Sequence, residues 1–228
     1  MRTLILFDID GTLLLTRGAG REATRLAMLE VFGTISTLEK HTFGGKTDWQ
    51  TLVELLASEG LTHDHIGARM AEFDAAMGRH SAAIIGNYPV EACVHALAAV
   101  ETLRQRPDIL PALVTGNARS TAPIKLRAGG FDPTWFPVGA FGNESADRRD
   151  LPPLALQRAR DHWGVEPEFV IVIGDTEMDV MCARAIDAIA VVVETGFGSR
   201  EELVAAHPDY IIPDLSAFEA ILEEIYAR

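Results

Sequence analysis

The 228-residue chain has only two cysteines, Cys93 and Cys182, far apart and in no CxxC or Cys/His cluster. A disulfide scaffold is thereby excluded and zinc has no ligand set; two reduced thiols packed as small hydrophobes are expected. No uninterrupted apolar run approaches the length of a membrane span. Basic residues are scarce, 20 Lys and Arg against 33 Asp and Glu for a net charge of −13. The imbalance is concentrated in residues 161–228, with 3 basic and 15 acidic side chains. Without a long basic stripe, nonspecific binding to nucleic acid is not expected. An anionic substrate would need local cations, either a metal or placed Arg and Lys. The first residues run straight into strand-like Thr3–Phe7, with no charged n-region, longer apolar h-region or cleavage site. No signal peptide is expected, and the cytoplasm is the expected location. The 19 glycines and 11 prolines follow no period, which sets aside collagen-like and low-complexity classes.

What is present is core-forming: 48% apolar and 23% charged residues, near the globular average, in a chain sized for one large domain or a domain with an insert. Candidate strands are Leu4–Phe7, Leu110–Val114, Phe169–Ile173, Ala188–Val193 and Tyr210–Ile212. Runs of Val, Ile and Leu without polar alternation suit strands buried on both faces, hence a parallel sheet covered by helices. Helix starts are marked by Ser199-x-x-Glu202 and Ser216-x-x-Glu219, both of capping-box form. Residues 17–83 break the strand–helix alternation with three helical patterns, near Ala19–Val31, Asp48–Ser58 and Asp64–Ala83, the second led by Thr47-x-x-Gln50. Such a stretch exceeds an ordinary crossover. The expected organisation is an α/β core from residues 1–16 and 84–228, with a helical cap domain of residues 17–83 inserted after the first strand.

Chemistry gathers where the apolar runs end. Leu4–Phe7 leads into Asp8-Ile9-Asp10-Gly11-Thr12, Leu113–Val114 into Thr115-Gly116-Asn117, and Val170–Ile173 into Gly174-Asp175, with Asp179 four residues on. Ligands of parallel α/β sheets sit outside the carboxyl ends of the strands, so these groups would meet on one edge. Carboxylates there suit a hard, oxygen-loving cation such as Mg2+, which also binds phosphate. Taken singly, Asp10-Gly11 is a turn signal and Thr115-Gly116-Asn117 a βα turn with a helix cap; their joint order points to a site.

With these residues in view, Asp8-Ile9-Asp10-Gly11-Thr12 resembles the DxDGT first motif of the haloacid dehalogenase-like hydrolase superfamily. Thr115 is similar to its second motif, and Gly174-Asp175 with Asp179 to its fourth, GDxxxD. The helical insert resembles the cap of the phosphoglycolate phosphatase and β-phosphoglucomutase branch. The resemblance implies a Rossmann-like three-layer core and a Mg2+-dependent phosphatase working through an aspartyl-phosphate on a small phosphorylated metabolite. Asp8 would be the nucleophile and Asp10 the acid, then the base. Mg2+ would be held by the Asp8 carboxylate, the Asp10 carbonyl and Asp175, supported by Asp179. Thr115 and neighbouring groups of Gly11, Gly116 and Asn117 would hold the nonbridging oxygens. An acid at position 10 separates phosphoryl transfer from dehalogenation, where a halide leaves without a proton.

The third motif departs from the pattern. A Lys is usual before a helix, often as Lys-Pro-x-Pro; here the stretch reads Asp147-Arg148-Arg149-Asp150-Leu151-Pro152-Pro153. Aligning Pro152 with the second Pro puts Arg149 at the Lys position and Arg148 beside it; either could pair with phosphate and nucleophile. Lys125, two turns into the helix after Thr115, is expected to be solvated. In the insert, Phe43-Gly44-Gly45-Lys46-Thr47-Asp48 reads either as a turn and cap or as a loop bringing Lys46 over the substrate. Arg17, Gly18 and Gly20 would form the first hinge. The seven histidines show no ligand spacing, and Trp49 and Trp135 read as packing residues. A β-phosphoglucomutase-like transfer and a noncatalytic binding module on the same fold are the alternatives. No nucleic-acid or membrane partner is expected, and the chain would be a monomer or homodimer.

Overall fold

Thr3–Phe7 has no polar alternation, and in the computed structural model, which describes residues 2–227, it forms β1 at the centre of a six-stranded sheet, buried along its length. Its neighbours are β4 (Ile109–Thr115) and β6 (Phe169–Gly174). Outside β4 lies β5 (Gly139–Phe141); outside β6 lie β7 (Ile189–Val193) and β8 (Tyr210–Ile212). Every pairing in this sheet is parallel, so both faces are covered. The α/β Rossmann-like class expected from the sequence is the class observed. β5 is the strand the sequence hid: its three residues, Gly-Ala-Phe, contain no apolar run.

Alternate residues of β1 feed two cores. Ile5 and Phe7 pack with the buried stripes of α5 (Ala96–Leu103), α6 (Ala122–Ala128) and α10 (Phe218–Tyr226). Leu4 and Leu6 pack with α7 (Leu151–Trp163), α8 (Glu177–Arg184) and α9 (Arg200–Ala205). Burying side chains such as Phe7 is worth about 1.5–3 kcal/mol each.

The chain leaves and re-enters the core through a small antiparallel pair, β2 (Leu14–Leu15) and β3 (Glu91–Ala92). Between them lie α1 (Ala19–Phe32), α2 (Asp48–Leu56), α3 (His63–Ala68) and α4 (Met70–Ile84), which bury a separate cluster including Met28, Leu52, Leu55, Phe73 and Met77. The single helix expected over Asp64–Ala83 is two, broken at Arg69 (φ −107°, ψ 3°). Gly67, a poor helix former, packs so close to the Trp49 ring that a Cβ would lie 2.8 Å from it.

The Ser199–Glu202 capping box forms as expected. Thr47 accepts from Gln50 N at 3.0 Å, but the Gln50 amide turns to Glu54 instead of closing the box. Ser216 caps nothing: Asp214 accepts from Ser216 N at 2.8 Å and starts a one-turn 3-10 helix, Leu215–Ala217, that leads into α10.

The cap helices are tied to the core by backbone groups. Asp48 N and Trp49 N, free donors at the start of α2, donate to Gly116 O at 2.8 Å and Gly142 O at 3.0 Å. Ser120, just before α6, donates from N to Asp74 Oδ1 (2.9 Å) and from Oγ to Asp74 O (2.6 Å).

Candidate active site

Phe7 of β1 is in register with Leu113 of β4 and with Ile173 of β6. Asp8, Thr115 and Asp175, one or two residues further along, therefore emerge together on the carboxyl edge of three adjacent strands. Gly11 makes the approach possible. At φ +90° its missing Cβ would lie 2.3 Å from Asp175 Oδ2, so the turn after β1 can lie against that carboxylate only as glycine. Its N–H, expected to serve phosphate, is instead committed to Leu14 O at 2.9 Å, because it closes the turn into β2.

Asp8, Asp175 and Asp179 are all buried, with one oxygen of each within 4.8 Å of the others. Asp175 is fixed by Thr12 Oγ1 (3.2 Å) and Phe197 N (2.7 Å). Burial pushes its carboxyl well up, and the charges of Asp179 and Asp8 push it further. The Asp8 carboxyl is also raised by burial, against the lowering charge of Arg148. Asp8 Oδ1 is buried with no hydrogen-bond partner. Two raised carboxyls and an unpaired oxygen fit a hard divalent cation, which would supply the missing positive charge. Asp179 is differently employed. Its Oδ2 accepts from Asp175 N (3.1 Å), Thr176 N (3.0 Å) and Thr176 Oγ1 (2.7 Å), capping α8 and bracing the loop that carries Asp175.

The cation beside Asp8 is Arg148, 2% exposed, with Nη2 3.0 Å from Asp8 Oδ2 and 2.5 Å from Asp179 Oδ1. Burial works against its charge, but the carboxylates of Asp179 and Asp8 prevail and hold it firmly protonated. Arg149, the residue selected by proline spacing, is exposed and folds back on Asp147 at 2.6 Å. The two part because residues 148–150 form a 3-10 turn capped by Asp147, in which successive side chains point in different directions.

Asp10 is held by a second network. Its Oδ2 accepts from Asn117 Nδ2 at 2.8 Å and from Lys125 Nζ at 2.6 Å, and its Oδ1 from Thr16 Oγ1 at 3.2 Å. Asn117 Nδ2 also donates to Thr115 Oγ1 at 2.7 Å. The solvated Lys125 of the sequence reading is wrong: its side chain is 7% exposed and paired with Asp10. A signal was present, since Ala122, Lys125 and Leu126 form the inward i, i+3, i+4 stripe of α6.

Asp8, Asp10, Lys125, Arg148 and Asp175 floor a cavity of about 400 Å³ roofed by residues of the helical insert, including Arg21, His41, Gly44, Gly45, Lys46, Asp48 and Met77, whereas Thr115 and Asp179 lie buried behind its lining. Gly116 and Asn117 line it as well. Lys46 reaches the cavity but is paired with Glu54 at 2.6 Å. His41 is depressed by burial and by the Lys46 charge, which favours its neutral form. Asp48 accepts from Ala118 N at 2.7 Å, and burial pushes its carboxyl up to about 6 despite the nearby Lys125. A larger hollow, about 490 Å³, lies beside β5; its lining is mostly apolar and Asp161 is the one carboxylate among its described residues. Asp8, Asp10 and Asp175 all line the smaller cavity.

The profile of the haloacid dehalogenase-like hydrolases matches residues 3–187. A phosphoglycolate phosphatase of Pseudomonas putida is 26% identical over 226 residues, covering 94% of this chain and 77% of that protein. The phosphoglycolate phosphatase of Synechococcus elongatus is 34% identical over 100 residues, covering 44% of this chain and 45% of that protein, less than half of its length. A hydrolase structure from Pseudomonas syringae superposes with a TM-score of 0.69 at 21% identity, covering 99% of each chain, which speaks for the fold. With the family profile spanning the helical insert and four of the six sheet strands, β1, β4, β5 and β6, the chain belongs to the haloacid dehalogenase-like hydrolases.

Proposed function

We propose that this hydrolase is a phosphatase for a small phosphorylated metabolite and that it works through a phosphoryl group carried on Asp8. The observation that carries the reading is the pair Asp8 and Asp10 on the floor of one capped cavity. Asp8 has an unpaired oxygen and faces the Arg148 guanidinium; Asp10, two residues on, is held by a separate set of donors.

The Asp8 carboxylate attacks phosphorus while the ester P–O bond breaks, and the leaving oxygen takes the proton of Asp10. Water then attacks the phosphorus, giving its proton to the Asp10 carboxylate, and the P–O bond to Asp8 breaks. The sum is ester plus water to alcohol plus phosphate, with Asp8 and Asp10 restored. Arg148 holds Asp8 and pairs with phosphoryl oxygens; Thr115 and Gly116 border the same edge. The Asp8 and Asp175 carboxylates and the Asp10 carbonyl would hold Mg2+, with Asp179 bracing the Asp175 loop. When bound, the ion offsets the charge of a carboxylate meeting a phosphoryl anion.

The volume suits a small ester, and Arg21, with Lys46 once it leaves Glu54, would offer the roof a cationic partner for an acidic leaving group. Phosphoglycolate is the first substrate to try, in keeping with the names of the relatives. Buried Cys93 and Cys182, both free, suit a reducing compartment, and we place the enzyme in the cytoplasm as a monomer or homodimer. No helix among the described residues is long and apolar enough to cross a membrane.

The test is phosphate release from a panel of small esters with Mg2+, with EDTA, and with Asp8→Asn. Metal-dependent release that vanishes in Asp8→Asn is expected. Transfer to a sugar phosphate without release of free phosphate would replace this reading with the mutase; no turnover of any kind by the folded protein would replace it with a binding role.

A further inference from the structure

Lys125 is a buried cation for which the scheme above has no use. Its position on the inward stripe of α6 puts the ammonium at the seam between core and cap, 6% exposed. A buried lysine is costly unless its charge and donors are matched. Its partners are Asp10 Oδ2, at 2.6 Å, and the Asn117 side-chain oxygen. It is not a second cation for Asp8, which Arg148 already serves. The helical insert closes on it at Gly20, in the first turn of α1, where an added Cβ would lie 3.2 Å from Nζ.

The consequence for Asp10 is asymmetry. Oδ2 carries two donors, Lys125 and Asn117, whereas Oδ1 carries only the longer contact from Thr16 at 3.2 Å. Two donors on one oxygen fix the carboxyl plane and leave the other oxygen free to exchange a proton. We propose that Lys125 is the positioning residue for Asp10: with Asn117 it anchors Oδ2, so that Oδ1 meets the leaving oxygen while the cap is closed over the ammonium. This rests on the phosphatase reading above, in which Asp10 gives and takes the proton. Lys125 itself touches neither phosphorus nor leaving group; it acts through the carboxyl it holds.

A leaving-group comparison separates this role from a structural one. kcat/KM reports the steps up to the first irreversible one, in which the leaving oxygen must be protonated for an alkyl phosphate but not for p-nitrophenyl phosphate, whose phenolate leaves unaided. Lys125→Met is expected to lower kcat/KM about 100-fold on the alkyl ester and less than about threefold on p-nitrophenyl phosphate, the size of a lost general acid. Asp10→Asn should show the same split more strongly. Lys125→Gln, which keeps a neutral donor, should show a smaller split in the same direction and serves if the Met variant does not fold. Equal losses on both esters, or no loss on either, would overturn the proposal while leaving the phosphatase intact. Absence of metal-dependent hydrolysis in the wild type would overturn the phosphatase reading and this proposal with it; absence of the split in Asp10→Asn would overturn the proton role of Asp10, and so this proposal, while leaving the phosphatase.

Discussion

Arg148 Nη2 lies 2.5 Å from Asp179 Oδ1, so the guanidinium that serves Asp8 at the end of β1 is itself anchored by the first turn of α8. Cation and anion are both almost wholly buried. Removing Asp179 leaves the buried guanidinium with Asp8 as its one remaining ion-pair partner. Asp179→Ala also releases the three donors on Asp179 Oδ2, and the expected loss is about 3–5 kcal/mol, read from urea unfolding. A loss below about 1 kcal/mol would show that the pair is not closed in solution.

The two neighbouring arginines should behave oppositely. Arg148→Met removes the cation from Asp8 and is expected to lower turnover about 100-fold or more, the scale of one lost transition-state donor. Arg149→Ala removes an exposed partner of Asp147, so stability should stay within about 0.5 kcal/mol and steady-state kinetics should stay near wild type. The reverse ranking would move the third-motif function to Arg149.

Acidic crowding gives the metal a thermodynamic signature. The Asp8 carboxyl is raised in the folded chain, so its ionisation costs stability as pH rises through that raised value. Asp8→Asn in the metal-free protein is therefore expected to melt higher than wild type at pH 8, with the difference shrinking toward pH 4. Mg2+ at about 100 times its Kd should stabilise the wild type by about 2.7 kcal/mol. Asp175→Asn should lose that response, and an undiminished one in calorimetry would place the ion elsewhere.

Asp48 provides a second pH effect at the cap–core seam. Its carboxyl, raised to about 6 against an ordinary 3.8, favours folding in the protonated form, so its contribution is present at low pH and lost between about pH 4 and 6. Asp48→Asn keeps an acceptor for Ala118 N without the charge. After allowance for the water that reaches this partly covered group, the variant should be about 1–2 kcal/mol more stable at pH 8 and no more stable at pH 4. Denaturant midpoints at the two pH values check it; a constant difference would refute the assignment.

The parts of the fold that were legible in the sequence owe it to burial on both faces. β1, β4 and β6 read as unbroken apolar runs, and the acids closing β1 and β6 had to share an edge once the strands were parallel and adjacent. What escaped did so for local reasons. β5 is too short to carry a pattern, and the helix broken at Arg69 depends on Gly67 meeting Trp49 from a different helix. Lys125 reads as solvent because lysine usually is, and only its place between Ala122 and Leu126 betrays the burial. The choice between Arg148 and Arg149 turns on a 3-10 turn, where one residue is about a third of a revolution and no composition rule fixes the phase.

The central claim is that phosphorus becomes bonded to Asp8, and trapping that species tests it most directly. The enzyme would be mixed with a phosphate-labelled ester and Mg2+, quenched in acid within milliseconds, digested and mapped. The account predicts hydroxylamine-labile label on the peptide containing Asp8 and none in Asp8→Asn. Label on another residue, or turnover with no labelled peptide at any quench time, would contradict it.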